Sequence, residues 1–214
     1  MSELVSDLLK DLPKNGASQR LLDCWLQARG SQILPRKSVF EELLPADLAF
    51  NATIVEVRAP DKLIYVRGSE TTKALSGIDR TGANMLDITV PSYRRKRSQS
   101  FWTIAYRPCV SKDLLSYPLL EEESGFVNCI NLSLPVCPDN DARPMEIHIT
   151  VEPTDELYSN LLLRSSYPGK DNNPVVSQEL SLDFFDIGNG TQPFDIPNVR
   201  EGGAWPASSR QFEL

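Results

Sequence analysis

Two stretches of strict alternation dominate the hydrophobic pattern of the chain. Ile130, Leu132, Leu134 and Val136 alternate with Asn131, Ser133 and Pro135; Met145, Ile147, Ile149 and Val151 alternate with Glu146, His148, Thr150 and Glu152. A period of two puts each apolar set on one side of a strand. These runs therefore predict two antiparallel strands joined through 138–143, with one face buried and the other polar or covered. Upstream, 51–58 predicts a strand with Thr53, Val55 and Val57 on one face. Ala59-Pro60-Asp61-Lys62 predicts a turn, because proline fixes φ and Asp bonds its own backbone, and 63–67 predicts the returning strand. A further strand is expected over 109–117.

Helical spacing appears elsewhere. Leu4, Val5, Leu8, Leu9 and Leu12 form a short amphipathic segment before Pro13. Leu21, Leu22, Trp25 and Ala28 line one side of a second helix, with Ser18 placed to cap it and Gly30 to stop it. Val39, Phe40, Leu43, Leu44 and Leu48, punctuated by Pro35 and Pro45, predict short helical turns. Ser69 can cap a short helix running to Leu75. The longest helical pattern covers 92–107, with Tyr93, Phe101, Ile104 and Ala105 roughly in line and Pro108 ending it. After residue 155, recurring Pro and Gly break any sustained period, so 156–214 is expected to be a loop-rich or disordered tail.

Two strands, short helices, a longer helix and three strands are the element order of a PAS domain. The residues follow the same order. The chain resembles the alphaproteobacterial family of small, single-domain PAS proteins through Trp25, Arg29-Gly30, Leu34-Pro35-Arg36 and Leu44-Pro45. The likeness continues with Gly68-Ser69, Thr81-Gly82-Ala83-Asn84-Met85-Leu86-Asp87, Pro91-Ser92-Tyr93-Arg94 and Pro108-Cys109. It extends over about 18–153. What it implies is an α+β PAS fold: a five-stranded antiparallel sheet with helices over one face. Segment 1–17 would be an amphipathic N-terminal extension, 18–155 the PAS domain and 156–214 the tail.

Composition narrows the function classes. With 41% hydrophobic and 24% charged residues, the 214-residue chain has the make-up of a soluble globular protein. No run approaches the roughly 20 apolar residues of a membrane span, and no secretory signal pattern opens the chain, so a cytoplasmic protein without membrane partners is expected. The net charge of −7 disfavours a protein that coats nucleic acid. Four scattered cysteines without a C-x-x-C pair predict reduced, mostly buried thiols and no metal site.

The lone histidine, His148, alternates away from the face of Ile147 and Ile149, and is expected on the solvent or partner side. Most acid-base and nucleophile-base pairs then lack a base, so no enzyme is expected. The expected function is a non-enzymatic sensory or regulatory module that acts through protein–protein association, without a resident cofactor. Either a small ligand lies between helices and sheet or side chains fill that space. Tyr65, Asn84, Tyr93, Phe101 and Ile104 are the candidate ligand contacts. A homodimer is expected, because the amphipathic segments Leu4 to Leu12 and Leu21 to Ala28 need something to cover; the other possibility is that they pack back on their own sheet. The alternative is a nucleic-acid or nucleotide-binding regulator using Arg94, Arg95, Lys96 and Arg97, four cations that oppose the helix dipole and call for a carboxylate or an external anion.

Overall fold

The alternating runs pair as their period requires. In the computed structural model, which describes residues 8–10, 12–70, 73, 79–89, 91–107, 109–118, 126–140, 145–154 and 178–187, the strands are β1 (Thr53–Ala59), β2 (Lys62–Arg67), β3 (Cys109–Pro118), β4 (Phe126–Val136), β5 (Met145–Pro153) and β6 (Gln178–Asp186). They form one antiparallel sheet in the order β2-β1-β5-β4-β3-β6. The helices are α1 (Ala17–Arg29), α2 (Lys37–Leu43), α3 (Ala46–Asn51) and α4 (Pro91–Tyr106). The fold is α+β.

Both faces of the sheet are covered, where helices over one face were expected. On one face α4 packs Ile104 and Ala105 over Val55, Val57, Leu63, Tyr65, Met145, Ile147 and Ile149. On the other, Leu8, Leu21, Leu22, Trp25, Phe40 and Leu48 cover Val110, Leu132, Leu134 and Val136. Leu21 and Leu22 have no residual exposure, so each contributes about 1.5–3 kcal/mol of burial. The N-terminal segments therefore fold back on their own sheet. That removes the need for a second chain to cover them.

Caps come from far along the sequence. The helix α1 begins one residue before Ser18, and its first N–H groups are not capped locally: Ala17 and Ser18 each donate to the carboxylate of Glu152, both at 2.9 Å. The hydroxyl of Ser18 instead meets that of Thr150 at 3.0 Å. In α2 the pattern repeats, with Ser38 N–H and Oγ donating to Asp139 Oδ1 at 3.0 and 2.8 Å. Acceptors at a helix start satisfy orphan donors and complement the dipole, whichever segment supplies them. Trp25 adds a third tie, its Nε1–H donating to Pro135 O at 2.8 Å. Gly30 ends α1 at φ 53°, with its N–H on Leu26 O, as its position predicts.

A sixth strand lies where the sequence pattern predicts only loop or disorder. Residues 178–186 pair along β3 from Cys109↔Asp186 to Ser116↔Gln178, with one irregularity at Leu114/Leu115. This strand bolts the two cores together, because Phe184 packs on the α4 side while Phe185 and Ile187 pack on the α1 side. The Phe184-Phe185 pair obscures the alternation, since one aromatic serves each face. Lys112 reinforces the join, lying 5.5 Å from the Phe185 ring centroid and donating to Lys10 O at 2.9 Å. The rest of 156–214 lies outside the described residues. So do Leu4 and Val5, the Glu121–Glu123 run and most of the helix expected after Ser69.

Glu152→Ala is expected to destabilise the protein by about 1–2 kcal/mol, the usual loss for a helix cap. A Cβ added at Gly16 would lie 2.0 Å from Glu152 Oε1 and would push the carboxylate off the same N–H groups. Gly16→Ala should therefore cost a similar amount, and the double variant little more than either alone. Urea unfolding of the four proteins checks this; additive losses would disconnect Gly16 from the cap.

Candidate functional site

The face under α4 changes character across its width. Its β1 and β5 half is apolar, and α4 is anchored there: Tyr106 OH donates to Val57 O at 3.3 Å and Ser98 Oγ donates to Pro60 O. Trp102 and Tyr106 stack at a 3.9 Å centroid distance. On the β3 and β4 half the same face carries Ser111, Asp113, Asn131 and Ser133. Cross-strand register sets Ser111 opposite Ser133 and Asp113 opposite Asn131. Phe184 flanks Ser111, and Ile149 flanks Ser133; both flanking residues belong to the α4-side core.

Ser111 and Ser133 are buried, and Asp113 and Asn131 half-buried. The Oδ1 of Asn131 is buried and has no hydrogen-bond partner among the described residues. An unmet acceptor of this kind costs about 1–3 kcal/mol. The four side chains offer hydroxyls, an amide and a carboxylate, a set that suits binding a small polar molecule.

Three of the candidate ligand contacts reach this side of the sheet. Tyr65 and Ile104 are buried in the α4-side core, and Phe101 packs against it half-buried. Asn84 does something else. Its Oδ1 accepts from Leu63 N at 3.1 Å and Leu86 N at 3.3 Å, while its Nδ2 donates to Asp61 O at 2.9 Å. This amide clips the β1–β2 turn to the segment after it. Tyr93, on the first turn of α4, is 37% exposed and is not part of the core.

The basic cluster is partly spent on the preceding turn. Arg94 Nε donates to Thr89 O at 2.9 Å and its Nη2 to Asp87 O at 3.4 Å; Arg97 Nη1 donates to Thr89 Oγ1 at 3.0 Å. Backbone carbonyls and a hydroxyl supply the acceptors that the sequence left to a carboxylate or an anion. Arg95 and Lys96 are half-buried further along the same turns.

His148 lies opposite to its expected setting. It faces away from Ile147 and Ile149, as the alternation requires, but that face is covered by α1 and α2, and the imidazole has no exposure at all. Phe40 of α2 meets it edge-on, with ring centroids 5.0 Å apart. Its Nε2 lies 3.3 Å from Glu146 Oε2, and Glu146 Oε1 accepts from Lys37 Nζ at 2.6 Å. The polar members of β5 thus form a rail of Glu146, His148, Thr150 and Glu152 on which the N-terminal helices are seated. Sequence reasoning missed the rail because alternation does not distinguish water from a polar protein surface. The signal that could have found it was the surplus of apolar helix faces upstream.

Burial raises the Glu146 carboxyl, but the His148 and Lys37 hydrogen bonds and charges outweigh it and hold the group below the usual carboxylate range. Lys37, hydrogen-bonded to Glu146, is held above the ordinary ammonium value. Burial pushes the Cys129 thiol up to about 12, which makes it inert at neutral pH. All four cysteines are free: Cys109 and Cys129 are buried, Cys24 and Cys137 half-buried. No cluster of His, Cys, Asp or Glu suited to a metal ion occurs among the described residues. Nor, among them, is any helix long and apolar enough to cross a membrane.

Comparison with protein families, characterised proteins and solved structures finds no match to this chain.

The lowered carboxyl of Glu146 has a pH signature. Its stabilising contribution is complete above the unfolded value near 4.5 and is lost as pH falls through the lower folded value. Glu146→Gln should therefore be less stable than wild type at pH 6–7, with the gap narrowing in acid below about pH 4.5. Urea midpoints measured across that range check it; a gap independent of pH would remove Glu146 from the account. Asn84→Ala should cost about 2–3 kcal/mol by leaving Leu63 N and Leu86 N without their acceptor, as thermal unfolding would show.

Proposed function

We propose that the chain is a PAS-type sensory or regulatory module that holds a small polar ligand between α4 and the sheet and acts by associating with a partner protein. The observation that carries the ligand is the polar island of Ser111, Asp113, Asn131 and Ser133 within an otherwise apolar, helix-covered face. A ligand donor to Asn131 Oδ1 would supply the bond that the described residues do not.

Element order and motif order support the PAS reading. β1 and β2, the turns over 79–89, α4 and then β3, β4 and β5 succeed one another in a single antiparallel sheet. The motifs Gly68-Ser69, Thr81 to Asp87 and Pro91 to Arg94 stand at the joints between them. The helices on the second face and the strand β6 go beyond that pattern. Output through association rather than chemistry is supported by the setting of the lone histidine, which is buried on Glu146 on the opposite face from the polar island. The cytoplasmic setting belongs to the same proposal.

Native mass spectrometry of the full chain purified from its own host should retain a ligand mass at one copy per chain. Adding that ligand to stripped protein should raise Tm by several degrees. Asn131→Leu should abolish the shift without lowering the Tm of the stripped chain, because it replaces an unmet polar group with an apolar one. Absence of any retained mass, or a ligand shift untouched by Asn131→Leu, would overturn the reading of this site.

A further inference from the structure

Register fixes the size of the polar island as well as its place. Ser111 and Ser133 form one row, flanked by Phe184 of β6 and Ile149 of β5; Asp113 and Asn131 form the next, flanked by Leu182 and Val151. Polar side chains therefore occupy two rows on two strands, and the strands on either side bring apolar residues to the same rows. Directly opposite side chains stand about 5 Å apart at Cβ, and rows on one face repeat every ~7 Å along a strand. That footprint suits a polar group of only a few heavy atoms.

The chemistry of the island is weighted towards acceptors. Asn131 Oδ1, buried and without a partner among the described residues, can only accept. Asp113 has interactions of its own, and its ionised carboxylate is likewise an acceptor alone. The Ser111 and Ser133 hydroxyls each have lone pairs to offer beside their single proton. A carboxylate or phosphate ligand would bring further acceptors to this set and meet like charge at Asp113. An ammonium group is the complement, because it concentrates three N–H donors and a positive charge on one atom.

We infer that the island takes a small primary amine, bound as its ammonium ion, with one N–H on Asn131 Oδ1 and the others on the Asp113 carboxylate and a serine hydroxyl. This rests on the reading of the island as the ligand site and names the class of molecule held there. Asp113 sets the preference for a cation over an anion, and Asn131 orients the nitrogen. The apolar residues of β5 and β6 that flank both rows receive the carbon part of the amine.

Thermal unfolding of the full chain with ethylammonium chloride as the probe tests it, against potassium chloride and sodium acetate at the same ionic strength. Ethylammonium should raise Tm by about 3–5 °C at roughly ten times its Kd, and neither reference salt should. Asp113→Asn keeps the shape but removes the charge, and should weaken ethylammonium about tenfold; Ser133→Ala should weaken it about threefold. Circular dichroism checks the fold of each variant, and Ser133→Ala carries the test if Asp113→Asn does not fold. No shift with ethylammonium, an equal shift with potassium, or affinity unchanged in the folded variants would overturn the inference. If native mass spectrometry retains an acidic or neutral molecule whose binding needs Asn131, the site stands and the amine falls. If nothing dependent on Asn131 is retained and ethylammonium has no effect, both fall.

Discussion

The rest of the structure depends on β5 having to be satisfied on both faces at once. It lies between β1 and β4, so its backbone is used on both edges, and its apolar residues are committed to α4. The remaining side chains are Glu146, His148, Thr150 and Glu152. Placing such groups against helices is costly unless each finds a partner. Most do: Lys37 and His148 Nε2 meet Glu146, Ser18 meets Thr150, and the first N–H groups of α1 meet Glu152, while His148 Nδ1 has no hydrogen-bond partner among the described residues. Apolar burial by Leu21, Leu22, Trp25 and Phe40 supplies the larger share of the energy. The polar rail fixes the position in which that burial occurs, since any sliding of α1 or α2 would leave buried charges unpaired.

The edge beyond β2 illustrates the same economy at the backbone level. Gly82 takes φ 83°, a conformation that side chains other than glycine's strongly disfavour, and its N–H can then reach Tyr65 O. Asn84 completes the arrangement by holding the turn on one side and the following segment on the other. Thr81-Gly82-Ala83-Asn84-Met85-Leu86-Asp87 is therefore an edge cover, with Arg94 and Arg97 fastening its downstream end to the start of α4.

Much of this was legible in the sequence, for reasons that also explain what was not. The alternation in β4 and β5 and the β-branched run in β1 report local periodicity, and these strands formed as the pattern predicts. The long helix is similarly local, bounded by Pro91 and Pro108. Legibility failed where a partner is distant. The cap expected from Ser18 comes from Glu152, and the outward position of His148 is covered by Phe40, more than a hundred residues upstream. In β6, the adjacent Phe184 and Phe185 serve opposite cores, which conceals the period of two among the surrounding prolines and glycines. At the candidate site, Phe101 and Ile104 were readable as inward positions of the long helix and Tyr65 as a residue of the returning strand. The polar island was not, because Ser111, Asp113, Asn131 and Ser133 look like solvent-side residues until the fold buries or half-buries them.

The distant capping of α1 has a consequence for synthesis. Ala17 and Ser18 are separated from Glu152 by 135 and 134 positions. During translation the amphipathic N-terminal third leaves the ribosome long before the strand that seats it exists. At about 5–20 residues per second, that interval is roughly 7–27 seconds. For most of it, the β3 and β4 residues that Leu21, Leu22, Trp25 and Phe40 cover have not yet been made, and α1 is too short to be stable alone. The nascent chain must therefore carry its future core exposed until β3 and β4 appear and its first helix uncapped until β5 follows, which makes the order of emergence, more than the final stability, the point at which this protein is most open to misassembly.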